Sequence, residues 1–96
     1  MFIKRKNGSA IIFSGDYVAG QPVKLTIENG DRVLLRLGNE AVLIKDIRRL
    51  GDARFRGEID AFEPSLAVEF QSLKVGDEVA FGEEHIISCS PKRRTE

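Results

Sequence analysis

The segment from Leu73 to Phe81 constrains this chain more than any other, because it reads as a tight turn leading directly into a strand. Gly76 allows a positive φ, and the Asp77 carboxylate can accept a hydrogen bond from nearby backbone, so the pair predicts a turn. Val79 and Phe81 follow with a spacing of two, which places both side chains on one side of a strand. Short strands entered through such turns predict a small all-β domain.

The same alternation of apolar and polar residues runs through much of the chain. It predicts strands at 23–28, 32–37, 41–47 and 54–60, with the first two joined as a β-hairpin. Shorter apolar runs at 10–13, 79–81 and 86–89 predict further strands. Asp46 and Ile47 interrupt the alternation, which indicates either a β-bulge or a strand bent between two sides of a barrel. Gly57 occupies an inward position, which we interpret as the mark of a sharply curved strand.

The stretch 64–72 is ambiguous. Pro64 suits a first helical position, and Leu66, Phe70 and Leu73 recur at offsets of four and three, so one or two helical turns are predicted. The alternative is a short strand over 66–70. The predicted fold is an SH3-like or related small β-barrel of five to seven strands, with this segment at one end. We expect a single domain over 1–90 and a basic flexible tail over 91–96.

Composition excludes several classes of protein. With 96 residues the chain forms one core, and the single cysteine, Cys89, excludes an intramolecular disulfide. Because His85 is the only histidine, one chain cannot assemble a Cys/His zinc cluster. No run of eighteen apolar residues occurs, and the N-terminus has no apolar stretch behind its basic residues. We therefore expect a cytoplasmic protein without a metal or other cofactor.

The charge is distributed unevenly, although its total is zero. Residues 1–56 carry a balance of +5, whereas residues 57–90 carry −7. Separate patches would give the molecule a dipole that steers a charged partner. The alternative, which we favour, is neutralisation across strands, with Arg54 and Arg56 beside carboxylates of a neighbouring strand.

Two groups of residues are candidates for contact with a partner. The first is basic and lies around the turn at 50–52: Arg48, Arg49, Arg54 and Arg56. The second consists of Leu34 and Leu43, which alternation places on the face opposite the core, where they would be exposed and would favour a dimer or a partner surface. The alternative is that N-terminal residues such as Ile11 and Phe13 cover the two leucines.

No set of residues assembles a catalytic site. Glu83, Glu84 and His85 include the residue types of a metal site or an acid/base pair, but neighbours in a strand point to opposite faces, so we interpret them as a solvated hairpin tip. Cys89 lies among apolar residues and is interpreted as core. The glycines match neither the phosphate-binding loop nor the dinucleotide fingerprint. We expect a non-catalytic binding module.

Several segments over 42–88 resemble a family of small bacterial domains of unknown function. They are the Val42 to Ile47 strand, the Arg56-Gly57-Glu58-Ile59 pattern, the Glu63-Pro64 turn and the stretch from Lys74 to Val79. Relatives of that family are associated with toxin-immunity loci. The resemblance implies a protein of a bacterium or of one of its mobile elements, immunity- or inhibitor-like, that docks a protein partner.

A nucleic-acid-binding barrel is the alternative function, with the arginines of 48–56 contacting phosphates. Two observations favour a protein partner instead. The sequence pI is about 6.6, whereas nucleic-acid-binding domains are typically above about 9. Phe55 and Phe81 are predicted to point inward, so few aromatic side chains remain for stacking on bases.

Overall fold

The computed structural model describes residues 2–6, 10–13 and 26–91, and almost all regular structure within them is β. A 3₁₀ turn, Glu83–His85, is the one helical element of these residues. Three of the strands are only two residues long, which is why the described residues hold more strands than the five to seven predicted. The strands are β1 (Ile12–Phe13), β2 (Arg32–Leu37), β3 (Glu40–Gly51), β4 (Arg54–Glu63), β5 (Glu69–Phe70), β6 (Leu73–Lys74), β7 (Glu78–Gly82) and β8 (Ser88–Ser90).

Six strands form one sheet in the order β1-β8-β2-β3-β4-β7, and β5 and β6 form a separate two-stranded hairpin. All neighbours in the large sheet are antiparallel except β1 and β8. Among the described residues, β1 and β7 are not hydrogen-bonded to each other, so the prediction of a closed barrel is wrong. The period-two pattern identifies the buried face of each strand, but it carries no information on whether the outermost strands meet.

The core lies on one face of the sheet, as alternation predicted. On β2, Val33, Leu35 and Leu37 are buried, while Leu34 between them is half-buried. On β3, Val42 and Ile44 are buried and Leu43 points to the other face. The buried apolar residues are Phe2, Val33, Leu35, Leu37, Val42, Ile44, Ile47, Phe55, Ile59, Phe62, Phe81, Ile86 and Cys89.

A β-bulge in β3 confirms the prediction at Asp46 and Ile47. The β3–β4 register shifts between Lys45 and Arg48, and Asp46 has a φ of 53°. Because of the extra residue, Ile44 and Ile47 both point into the core although they are three positions apart. Gly57 on β4 lies beneath these two isoleucines, and a Cβ there would overlap the Ile44 side chain. The bulge turns both isoleucine side chains toward Gly57, and this crowding, rather than curvature of β4, explains why glycine occupies the position.

The turn before β7 forms as predicted. Gly76 has a φ of 96°, and the Asp77 carboxylate accepts the Lys74 N–H at 2.9 Å. The Asp77 N–H in turn donates to the Lys74 carbonyl at 2.9 Å. Phe81 is buried and Val79 packs against the core, so both point to the predicted side.

The segment 64–72 contains no helix, so the prediction of a helical turn is wrong. After the exposed residues Glu63 and Pro64, the Leu66 N–H donates to the Phe62 carbonyl at 2.9 Å, and Leu66 itself is 74% exposed. Glu40, at the start of β3 and 6% exposed, accepts the Ser65 N–H through Oε1 at 3.3 Å. Tertiary contacts therefore hold residues 64–68 as an irregular loop, which local propensity does not anticipate. The strand β5 follows at Glu69–Phe70, within the range of the alternative strand over 66–70.

The predicted strand at 23–28 is wrong over its described part, because Thr26, Ile27 and Glu28 form no strand. Residues 23–25 and the tail over 92–96 lie outside the described residues. A buried carboxylate, Asp31, instead orders the entry to β2, where it accepts the Glu28 N–H at 2.9 Å. None of the described residues forms a helix with the length and apolarity needed to cross a membrane.

Candidate docking site on the arginine face

The four predicted arginines lie on two different faces of the β3–β4 hairpin. Arg48 is directly opposite Arg56, and Arg49 is directly opposite the buried Phe55. Since alternate residues of β4 share a face, Arg54 lies on the same side as Arg56. We use the term "arginine face" for Arg48, Arg54 and Arg56, which share the outer surface of this hairpin.

Arg49 has a structural role on the core side of the hairpin. Its guanidinium carbon lies 4.8 Å from the centroid of the Phe55 ring, a cation–π geometry. Its backbone N–H donates to Asn29 Oδ1 at 2.9 Å, which ties β3 to the turn before β2. Arg49 therefore lies outside the arginine face.

Arg56 is the only member of the arginine face that has a counter-ion among the described residues. Its Nε pairs with Glu78 Oε1 on β7, which confirms cross-strand neutralisation at this position. Arg54 was expected to be neutralised in the same way, but neither it nor Arg48 forms an ion pair with a described carboxylate. Like charges directly opposite each other on antiparallel strands are unfavourable, and Glu78 offsets the charge of Arg56 but not that of Arg48.

Farther along the hairpin, acidic and basic side chains neutralise each other. Arg32 Nη2 lies 2.7 Å from Asp60 Oδ2, and Lys45 Nζ lies 3.4 Å from Glu58 Oε2 and 3.6 Å from Asp60 Oδ1. The hydrogen bond to Glu58, with the charges of Glu58 and Asp60, raises the pKa of Lys45. The uncompensated positive charge on this face is therefore confined to Arg48 and Arg54, near the hairpin end.

A shallow groove of about 170 Å³ lies between the charged side chains of the arginine face and β7. Three carboxylates share it with two guanidinium groups, so it is polar and mixed in charge. Its lining residues are Asp46, Arg48, Arg56, Gly57, Glu58 and Glu78. Such a groove suits a charged side chain of a partner better than a small apolar ligand.

Leu34 and Leu43 are half-buried, and they lie directly opposite each other on β2 and β3. The prediction that they are exposed is wrong, because each shields the other on the outer face. Ile11 and Phe13 pack against the core cluster. The apolar argument for a dimer at this position therefore fails.

The exposed apolar side chains of the loop region were not identified from sequence. Leu66 is 74% exposed, Val68 77% and Val75 43%, and the Val75 N–H donates to the Val68 carbonyl at 2.9 Å. Leu66 also has a φ of 57°, which is uncommon for a bulky residue. The signal available in the sequence was the lack of strict alternation after Pro64.

The Glu83–His85 turn caps the end of β7. His85 Nδ1 accepts the Gly82 N–H at 2.9 Å and lies 3.5 Å from Glu84 Oε1, while the Phe2 ring centroid is 6.2 Å from that of His85. The described residues contain no group of three histidine, cysteine or acidic side chains arranged to hold a metal ion. Burial lowers the pKa of His85, and the charge of Glu84 opposes this effect.

We expect His85 to make the protein less stable as the pH falls below about 6.5, the ordinary histidine pKa. Its folded-state pKa is lowered, so the unfolded chain binds more protons and the free energy of unfolding falls with falling pH until the folded-state pKa is passed. His85→Asn retains an acceptor for the Gly82 N–H but cannot titrate. Urea unfolding between pH 7 and 5.5 should show a flatter dependence for His85→Asn than for the wild type. Equal slopes would contradict this assignment.

Cys89 is buried, as predicted, at 1% exposure. Its Sγ donates to the buried carboxylate of Asp31 at 3.4 Å. This contact joins β8 to the residue that precedes β2, whereas the arginine face lies on β3 and β4. We interpret both residues as structural.

Comparisons with protein-family models, curated proteins and solved structures returned no match to this chain.

Proposed function

We propose that this chain is a non-catalytic binding module that docks a protein partner through the arginine face. The observation that carries the proposal is the placement of Arg48 directly opposite Arg56, with Arg54 lacking a described counter-ion on the same side. Like charges at directly opposite positions are unfavourable for a sheet. Local arrangements that weaken a fold are expected where function requires them, and an acidic group of a partner would relieve the repulsion.

The carboxylates of the groove favour a protein over a nucleic acid. Asp46, Glu58 and Glu78 lie among the arginines, so an evenly charged phosphate backbone would meet negative groups as often as positive ones. No aromatic side chain belongs to the arginine face, and Phe55 beneath it is buried. A protein surface can place acidic and basic side chains individually against such a pattern.

The resemblance to small bacterial domains of toxin-immunity loci supports an immunity- or inhibitor-like role for the module. We also propose that the fold of the module is related to SH3-like barrels. The support is the antiparallel meander formed by β2, β3 and β4, with β7 beside β4. We also propose that the protein acts in the cytoplasm.

The test is capture from a nuclease-treated bacterial extract by the tagged protein, with Arg48→Glu and Arg36→Glu compared at matched concentration. Both variants reverse one exposed strand arginine, but Arg36 lies on β2 opposite Ala41, away from the arginine face. Arginines are frequent hot spots of interfaces, so Arg48→Glu should reduce recovery of a specific protein at least about tenfold. Arg36→Glu should change recovery less than about twofold, the usual result outside hot spots.

Three outcomes would contradict the proposed function. Equal loss with Arg36→Glu would show that binding depends on total charge alone. Recovery of nucleic acid from untreated extract, with no protein retained after nuclease treatment, would favour the alternative function. Turnover of a substrate by the pure protein would show that the module is catalytic.

A further inference from the structure

Among the residues that the structure describes, β7 pairs with β4 on one side and with no strand on the other. Glu83 and Ala53 lie at directly opposite positions of the β7–β4 register, and the Glu83 N–H donates to the Ala53 carbonyl at 2.9 Å. Hydrogen-bonded and non-hydrogen-bonded pairs alternate in an antiparallel ladder, so Phe81 and Val79 also bond to β4. The backbone groups of the intervening residues therefore point away from the sheet.

Those outward-pointing groups belong to Glu78, Ala80 and Gly82. The Gly82 N–H is already used, because it donates to His85 Nδ1. Glu78 and Ala80 are exposed, and on this side their backbone groups form no hydrogen bond with any described residue. The free edge is thus a short one, with two N–H and two C=O groups, and the His85 turn closes its far end. Unpaired edges of this kind are templates for strand addition.

The edge brings an added strand next to the arginine face. Across the outer surface, Arg48, Arg56 and Ala80 form one row of paired positions on β3, β4 and β7. Because Ala80 has only a methyl group, nothing on β7 at that position separates Arg56 from a residue added beyond the edge. Two strand spacings, about 10 Å, separate the backbones, a gap that an arginine and a glutamate side chain bridge together.

We infer that the β7 edge receives an extended segment of the protein partner as an added strand, with an acidic residue opposite Ala80. This inference rests on the proposed function and specifies the kind of partner segment. In the next row Glu58 and Glu78 lie side by side, so the residue opposite Glu78 is basic. Arg56 keeps its contact with Glu78 and still has unused donors for the new carboxylate, since a guanidinium carries five.

Charge excludes a second copy of this chain as the occupant. Antiparallel self-pairing centred on this edge would place Ala80 opposite Ala80 of the other copy, with an arginine row behind each. Neither copy would supply a carboxylate opposite Ala80, so Arg48 and the unused donors of Arg56 would gain no counter-ion. An acidic segment of a different protein supplies that counter-ion.

The test uses labelled nine-residue peptides in which valine alternates with polar residues, with a glutamate at the centre and a lysine two positions later, measured by fluorescence anisotropy with the wild-type protein. In a strand added antiparallel to β7, the glutamate lies opposite Ala80 and the lysine opposite Glu78, so their amides face β7, whereas the valine amides face away. N-methylation of the glutamate and lysine amides should weaken binding at least about tenfold, while N-methylation of the valine amides should change it less than about threefold. A peptide with lysine in place of glutamate should bind at least about tenfold more weakly.

Ala80→Pro provides the matching change on the protein, because proline removes an outward N–H and leaves the bonds to β4 intact. It should weaken binding of the glutamate peptide at least about tenfold, whereas Ala80→Ser should leave it within about threefold. The peptide variants keep the test valid if Ala80→Pro does not fold.

Equal binding of the two N-methylated peptides, absence of binding by the glutamate peptide, or equal binding of the lysine peptide would each overturn the inference. None of these results affects the Arg48-dependent capture of a protein. Loss of strand addition with capture retained would mean that the partner docks on the arginine face by side chains alone.

Discussion

Gly57→Ala is expected to lower the free energy of unfolding by about 3 kcal/mol, at the upper end of the usual cost of overpacking a core. A Cβ at this position would lie 2.4 Å from Ile44 Cγ2 and 3.1 Å from both Ile47 Cγ2 and the Lys45 carbonyl oxygen. Ile44 and Ile47 are fully buried, so neither can move away without disturbing the core. Denaturant unfolding of the purified variant measures the effect.

Gly51→Ala is the matched control, because it makes the same substitution at the end of β3, where no heavy atom lies within 4 Å of the new Cβ. It should change the free energy of unfolding by less than about 0.5 kcal/mol. A double variant, Ile44→Ala with Gly57→Ala, should cost less than the sum of the single changes, since the clash is removed. Equal effects of Gly57→Ala and Gly51→Ala would show that the bulge does not lie over Gly57.

Phe55→Ala is expected to lower the free energy of unfolding by about 4 kcal/mol, as for other fully buried phenylalanines. The ring is 1% exposed, its centroid is 6.1 Å from that of Phe81, and the Arg49 guanidinium covers its outer edge. Removal of the ring leaves a cavity between β4 and β7 and removes the partner of Arg49. Thermal or urea unfolding would measure the loss.

Leu50→Ala is the control for that change, because Leu50 lies on the same hairpin and is 54% exposed. It should cost less than about 0.5 kcal/mol. A cost for Phe55→Ala no larger than that of Leu50→Ala would contradict the placement of the ring in the core.

The faces of the strands and the turn chemistry could be predicted from the sequence, because both depend on local rules. Val33, Leu35 and Leu37 are buried by simple alternation, and Gly76 and Asp77 form the turn that their chemistry favours. Closure of the sheet depends instead on the relative positions of its outermost strands. Local patterns do not encode that geometry, which is why an open sheet was predicted as a barrel.

The arginine face could be predicted only in part, because the bulge changes which side each β3 residue occupies. From Ile44 onward, strict alternation would place Ile47 outside and Arg48 inside. The extra residue at Asp46 reverses this, so Arg48 joins Arg56 and Arg49 lies over Phe55. Sequence indicated a bulge, but the sides of the following residues depend on where the register resumes.

The free edge could not be inferred from sequence, since it follows from the strand order. The exposure of Leu66 and Val68 was not identified for a related reason: the loop that carries them is held by Glu40, which is distant in sequence. The arginine face and the edge become neighbours only because β7 returns to pair with β4.

Amide hydrogen exchange of the unbound protein, followed residue by residue by NMR, tests most directly whether the sheet ends in an open β7. The account predicts that the Val79 and Phe81 amides, which bond to β4, exchange at least about 100-fold more slowly than those of Glu78 and Ala80, since exchange then requires opening of the sheet. Equal protection of the Ala80 and Phe81 amides would show that another strand already covers this edge, and would contradict the account.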